Sequence, residues 1–308
     1  MNTITFSQSI EGYLLAANAR RLSPNTINDY SFTFHKFKQY LGDDPPIADI
    51  SVRDIQIFLS NQNNISKKTL LNYHTGLSAL WTWCLDEELV NEHILHKVKR
   101  PKPEIRVIRP YTQAEVQAML SVLKASKIYT RPGKRECSHK LLLADRNKAI
   151  IYLLLDTGIR ASELGNLRIH HVDVRNHRIT VMGKGSKQRT NPFSARTGQI
   201  LWRYLALRNK DTAADYLFVT NEGRNLVRTR ILNILRVIGD RAGVQGVNVH
   251  RFRHTFAINY LRNGGDPYSL QIMLGHSTMD MVKRYLLIAQ ADLDKSHKLA
   301  SPVDNWRL

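Results

Sequence analysis

Six side chains in the second half of the chain have the types needed for phosphoryl transfer: Arg160, Lys184, His250, Arg253, His276 and Tyr285. Two guanidinium groups can hold the non-bridging oxygens of a phosphodiester and stabilise the charge that develops on them. A tyrosine hydroxyl can attack phosphorus and carry it as a covalent intermediate. A lysine can protonate the leaving oxygen, and histidines can move protons or hold the phosphate. The set contains no carboxylate pair, and the chain has no HExxH and no cysteine pair at metal-ligand spacing. The chemistry it describes is phosphoryl transfer without a metal. A free phenol ionises at about pH 10, so Tyr285 is a poor nucleophile unless cationic or proton-handling groups help it.

Spacing decides whether these groups can meet. Tyr285 follows His276 by nine residues in LGHSTMDMVKRYLLIAQ. On one unbroken helix that offset points the two side chains in nearly opposite directions. Gly275 reads as the stop of a preceding helix, and Ser277 with Asp280 resembles a capping box that opens a new one. With that break, His276 and Tyr285 can face one site. In DTGIRASELGNLR, Gly158 permits a tight turn and Arg160 stands at the start of a short helix. A cation there opposes the helix dipole, and a bound phosphate would remove the conflict. The plainer account is a surface pair between Arg160 and Glu163, worth little.

Residues 178–193, RITVMGKGSKQRTNPF, alternate like a strand, turn at Gly183-Lys184-Gly185 and continue as a second strand. Lys184 can reach a ligand from that tip or simply be exposed on it, and the spacing is not that of a nucleotide-binding P-loop. In VNVHRFRHTFAINYL, His250 and Arg253 share a helical face with His254 close by. They form either a phosphate grip or an exposed first turn.

The elements that must carry these groups are mainly helical. Four amphipathic helices are expected in the first hundred residues, opened by Ser23-Pro24, by Ser51 with Asp54, and by Ser66. Their aromatic stripes are packing positions, and the product is a small helical bundle. Lys97 to Pro110 holds three prolines and six basic residues without periodicity. It reads as an extended linker, either a solvated connector or a basic strap against a phosphate backbone. A second domain begins near Tyr111, with Thr112 and Glu115 capping its first helix as far as about Leu123. Residues 124–140 form a basic loop that either touches DNA or has no structure of its own. The run Ala149–Leu155 reads as a buried helix from its flanks, and 197–208 and 227–241 as further helices. The fold class is α+β, mainly α with a small antiparallel sheet. The expected division is 1–100, a linker at 101–110, and 111–308.

The charge is uneven. The chain of 308 residues carries a net +19. Residues 1–103 hold 11 basic against 10 acidic side chains, and the remainder 34 against 16. Such a surplus favours a polyanion partner. No long apolar run predicts a membrane span, and the N-terminus lacks the pattern of a secretory signal. Two cysteines, Cys84 and Cys137, in unlike surroundings fit a reducing compartment rather than a disulfide framework.

TGIRASEL, the GKG hairpin, HRFRH, LGH and the tyrosine nine residues after that histidine, in this order, closely resemble the tyrosine recombinase/integrase family. The match covers the second domain, and the first resembles the family's helical, SAM-like core-binding domain, including the SPNT helix start at residues 23–26. The resemblance implies a clamp around double-stranded DNA. One strand at a time is cut through a 3′-phosphotyrosine and rejoined through a four-way junction, with neither ATP nor a metal cofactor. It implies a tetramer on DNA, a monomer or weak oligomer in free solution, and a cytoplasmic location at the nucleoid. Arg160, Lys184, His250, Arg253, His276 and the nucleophile Tyr285 match the catalytic positions, and Glu163 the acidic position that supports the first arginine. The segment from about Asp292 to Leu308 resembles the tail that packs on a neighbouring protomer. The chain's length resembles compact Xer-like or mobile-element recombinases, and the loop at 124–140 looks like an insertion. Two rivals share many of these features: a type IB topoisomerase that relaxes DNA, and a DNA-binding accessory protein without turnover.

Overall fold

The computed structural model describes residues 4–104, 108–124, 143–183, 188–208, 215–220, 222–289, 301 and 303. The chain divides into two compact units, Met1–Arg106 and Val107–Leu308. The first is a bundle of α1 (Phe6–Ala19), α2 (Pro24–Leu41), α3 (Val52–Ser60) and α4 (Lys67–Asp86). Each starts where a hydroxyl side chain is free to accept an orphan backbone N–H: Thr5, Ser23, Ser51 and Ser66. Ser51 and Asp54 form the reciprocal box that their spacing predicts. The aromatic stripes meet inside, with Phe37 edge-on to both Phe6 (5.3 Å) and Phe58 (5.0 Å).

The second unit is built on α6 (Ala144–Thr157), in which Ala149, Ile150, Ile151, Leu153 and Leu154 are all fully buried. Apolar contact on several sides explains why its sequence shows no clear periodicity. Around it lie α5 (Gln113–Ser121), α7 (Ala161–Gly165), α8 (Ala195–Leu207), α9 (Arg228–Ala242) and α10 (Val249–Arg262). Then α11 (Pro267–Leu274) and α12 (Asp280–Ala289) close over α10. The hairpin is present as β2 (Arg178–Met182) and β3 (Gln188–Pro192), which pair antiparallel with Val181 opposite Arg189 and Ile179 opposite Asn191. A two-residue strand, β1 (Val172–Asp173), adds to β2 and makes a sheet of three strands.

Two details differ from expectation. The acid at Asp280 is the first residue of α12 rather than its third, so Ser277 does not cap it. Residues 277–279 form a bend, and the hydroxyl within reach of Asp280 is that of Thr278, at 3.0 Å. Helix α5 ends at Ser121, two residues short of Leu123. No helix among the described residues is long and apolar enough to cross a membrane.

Candidate active site

Two helix ends supply the frame. α6 stops at Gly158 (φ 60°, ψ 21°) and α11 at Gly275 (φ 62°, ψ 50°), both left-handed. Such stops leave carbonyls without intrahelical partners at the negative end of the helix dipole. Arginines take them up. Arg253, one turn into α10, donates from Nη1 to the Gly158 carbonyl at 2.8 Å and from Nη2 to the Leu274 carbonyl at 2.6 Å. Arg160, the N-cap residue of α7, donates from Nη2 to the Gly275 carbonyl at 3.1 Å. Gly158 is required twice over, since a Cβ there would also overlap Phe256 and Leu274.

Arg253 is 4% exposed, and burial followed by the charge of Arg160 pulls its pKa down to about 10. Two guanidinium groups held close together on carbonyl oxygens leave their positive charge unneutralised by those partners. The acid in the cluster is Glu163, itself buried. It accepts from the Arg160 backbone N–H at 2.7 Å and from Arg160 Nη1 at 2.9 Å. Arg189 on β3 then meets it fork to fork, Nη1 to Oε1 and Nη2 to Oε2, both at 2.8 Å. Burial alone would raise the Glu163 pKa. The hydrogen bonds from Arg189 and the Arg160 backbone outweigh it and bring the pKa down to about 2. The Arg160–Glu163 pair is therefore a structural element with its carboxylate buried and its guanidinium partly exposed.

The break after α11 does what the sequence requires of it. His276 Nε2 lies 2.8 Å from Arg253 Nη2, so the imidazole is the neutral tautomer with its proton on Nδ1. Its ring stacks on that of Tyr285, with centroids 6.4 Å apart and planes 20° apart. Burial and then the charges of Arg253, Arg160 and Arg189 depress the His276 pKa to about 4. Tyr285 is 1% exposed. Its pKa is raised by burial, against the pull of Arg253, Arg284 and Arg160. His250, in the first turn of α10 between buried Val249 and Phe252, is itself exposed. Its pKa is lowered, first by desolvation and then by Arg228, Arg253 and Arg160.

Thus Arg160, Glu163, Arg253, His276 and Tyr285 form one connected cluster, with His250 on the same helix as Arg253. Lys184 lies outside the described residues. Beside the cluster an open cleft of about 500 Å³ is lined by Arg160, Gln188, Arg189, His276 and Thr278. No group of three or more His, Cys, Asp or Glu side chains that could hold a metal occurs among the described residues.

Residues 112–291 match the model of the phage integrase family, more than half of the chain. The chain belongs to this family, that of the tyrosine recombinases. Residues 10–91 match the family's N-terminal SAM-like domain. Among named relatives, tyrosine recombinase XerC of Bacillus pumilus (strain SAFR-032) is 28% identical over 296 residues, covering 92% of each chain. Tyrosine recombinase XerD of Oceanobacillus iheyensis is 28% identical over 295 residues, covering 92% of this chain and 94% of that one. The Tn1549 transposon integrase, solved in complex with a circular intermediate DNA, shares the fold. It superposes with a TM-score of 0.73 at 20% identity, over 95% of this chain and 99% of that one.

Two further residues join the cluster, one outside the catalytic positions of the hairpin and one at the end of HRFRH. Arg189 lies inside the hairpin, in no motif of its own. Its signal is that the inward positions of β3, Arg189 and Asn191, are polar where a strand on a core should be apolar. Asn191 donates to the Thr157 and Met273 carbonyls, and Arg189 Nε also donates to Met273. The hairpin is thereby bolted to the ends of α6 and α11. The second residue is His254, whose Nδ1 lies 2.9 Å from Tyr285 Oη. Its position next to Arg253 was the available signal.

Proposed function

We propose that this tyrosine recombinase cuts and rejoins double-stranded DNA with Tyr285 as nucleophile and with Arg160 and Arg253 as the phosphate clamp. The chain is a site-specific DNA recombinase by family, and the residue roles are our assignment. The observation that carries it is the continuous contact from Arg253 through His276 to Tyr285, with Arg160 on the adjacent helix stop.

A phosphodiester at the two arginines would place its non-bridging oxygens against fixed positive charge, which matters most as phosphorus becomes five-coordinate. Tyr285 Oη bonds to phosphorus and gives up its proton, while the bond to the 5′ oxygen breaks and that oxygen takes a proton from Lys184. The product is a 3′-phosphotyrosine and a free 5′-hydroxyl. Attack by a partner strand's 5′-hydroxyl reverses the step and joins the new strand. His250 and His276 hold the phosphate or assist its protons, and Glu163 fixes Arg160. The guanidinium groups meet the phosphate charge, so no metal or nucleotide cofactor is assigned to the step.

Residues 1–100 then serve as the core-binding domain, 101–110 as the linker and 111–308 as the catalytic domain, with the tail from about 292 reaching a neighbouring protomer. Four protomers act on DNA, and the free chain is a monomer or weak oligomer in the cytoplasm at the nucleoid. The strongly basic second unit supports DNA as the partner. The relatives' names, recombinases throughout those cited, support strand exchange over simple relaxation. The test is to incubate the protein with DNA of its own source, denature rapidly and sequence the protein-linked strands. Linked 3′ ends at a common site support the proposal. Adducts of equal yield from Tyr285→Phe would remove Tyr285 from its role.

A further inference from the structure

The hydroxyl that must lose a proton already has a hydrogen-bond partner, and it is none of the six residues matched to catalytic positions. Among the described residues only His254 reaches Tyr285 Oη, its Nδ1 at 2.9 Å and its ring centroid 5.6 Å from that of the tyrosine. His276 also touches the tyrosine ring, but it lies parallel to the phenol and its Nε2 is engaged by Arg253. His250 sits one turn earlier on α10, on its exposed side.

The groups around His254 are Arg253 and His250 on its own helix, Tyr285 and Arg284 on α12, and His276 in the turn before it. Burial first, and then His250, Arg253 and Arg284, push its pKa down to about 4, so the imidazole is neutral. A neutral imidazole whose Nδ1 accepts from a phenol carries its own proton on Nε2. In that tautomer the tyrosine donates and the histidine accepts, the orientation that proton removal needs.

We propose that His254 is a catalytic residue, the proton acceptor for the Tyr285 hydroxyl in strand cleavage and the proton donor to it in resealing. The inference rests on Tyr285 being the nucleophile. In cleavage the Oη–H proton moves to His254 Nδ1 as the Oη–P bond forms. The P–O5′ bond breaks with a proton supplied to the 5′ oxygen by a different acid. In resealing the incoming 5′-hydroxyl gives its proton back to that acid's conjugate base as its oxygen displaces the phenol oxygen, which recovers its proton from the imidazolium. Without DNA the transfer is disfavoured, because a depressed imidazole faces a raised phenol. A phosphate anion between Arg160 and Arg253 offsets the charge of Arg253, one of those that depress His254, so proton affinity rises when substrate is in place.

The test uses the full-length protein and the DNA site recovered through its covalent link, supplied as a nicked duplex so that adduct accumulates. Two variants separate holding from proton transfer. Gln in His254→Gln can still accept a hydrogen bond from the phenol but is not a base; His254→Ala can do neither. Both should form adduct about 100-fold more slowly than wild type at neutral pH, with DNA affinity unchanged, and should gain rate steadily as the pH rises. Replacing Tyr285 by a difluorotyrosine, whose phenol ionises more readily, should recover more of the rate in the His254→Gln protein than it adds in wild type. Wild-type rates in His254→Gln, a faster reaction in His254→Ala, or an equal effect of the fluorinated tyrosine in both backgrounds would overturn the proposal. An adduct formed by Tyr285→Phe would instead overturn the assignment beneath it, so the two failures are distinct.

Discussion

Arg189 and Glu163 meet fork to fork in the interior of the second unit, and the same carboxylate holds Arg160 by both its backbone and its guanidinium. One acid thus ties strand β3 to the N-cap of α7, Arg160, the proposed clamp arginine. Replacing Glu163 with glutamine keeps the shape but leaves two guanidinium groups facing an amide. Breaking a buried pair from one side costs about 3–5 kcal/mol, and Glu163→Gln should lie near the lower end because the amide oxygen still accepts. A fall in the urea midpoint of the full-length protein checks this. Arg189→Lys, which keeps the charge but not the fork, should lose part of the stability and slow cleavage.

Gly158 and Gly243 both end helices in the left-handed region, at φ 60° and 68°. Only the first is also crowded, by Phe256 and Leu274, whereas nothing lies within 4 Å of a Cβ placed at Gly243. Gly243→Ala should cost about 1 kcal/mol, the left-handed strain alone. Gly158→Ala adds overpacking of about 1–3 kcal/mol and displaces the carbonyl that Arg253 uses. Thermal denaturation of the two variants should show the difference, and only Gly158→Ala should also lose cleavage activity.

Acid should loosen the second unit over two ranges. His254 and His276 sit at about 4 in the fold against a usual 6.5, so the unfolded chain takes up their protons first as pH falls. Their contribution is whole above pH 6.5 and is lost as pH falls towards about 4. Glu163 sits at about 2 against a usual 4.5, so its contribution is whole above 4.5 and is lost as pH falls through about 2. That shift corresponds to about 3 kcal/mol. Urea titrations across this range should show both losses, and Glu163→Gln should flatten the lower one.

Strand cleavage should persist in EDTA, because the proposed clamp meets the phosphate with guanidinium groups. Retained adduct formation after exhaustive chelation is the expected result, and its loss would require a different account of charge stabilisation.

Much of this was legible in the sequence, and the exceptions have physical causes. Ser23, Ser51, Ser66 and Thr112 announce their helices because a cap is a contact over three residues. Gly275 announces the break that lets His276 meet Tyr285, because a left-handed stop favours one residue type. Partners distant in sequence announce nothing. Arg189 lies 26 residues from Glu163 and Tyr285 lies 31 from His254, and no local pattern encodes either meeting. The short strand β1 has too few residues to show alternation. Lys184, most of the basic loop at 124–140 and nearly all of the tail from about 292 lie outside the described residues, so their expected roles stand as proposals.

The most direct measurement of the central claim is the identity of the amino acid joined to DNA. Covalent complexes trapped on source DNA can be digested with nuclease and trypsin, and the nucleotide-bearing peptide sequenced by mass spectrometry. Trypsin cuts after Arg284, so Tyr285 should begin the modified peptide, which runs YLLIAQADLDK and carries a 3′-phosphate-linked nucleotide on its tyrosine. Attachment through any other residue, Tyr260 on the neighbouring helix for instance, or through a 5′-phosphate, would contradict it.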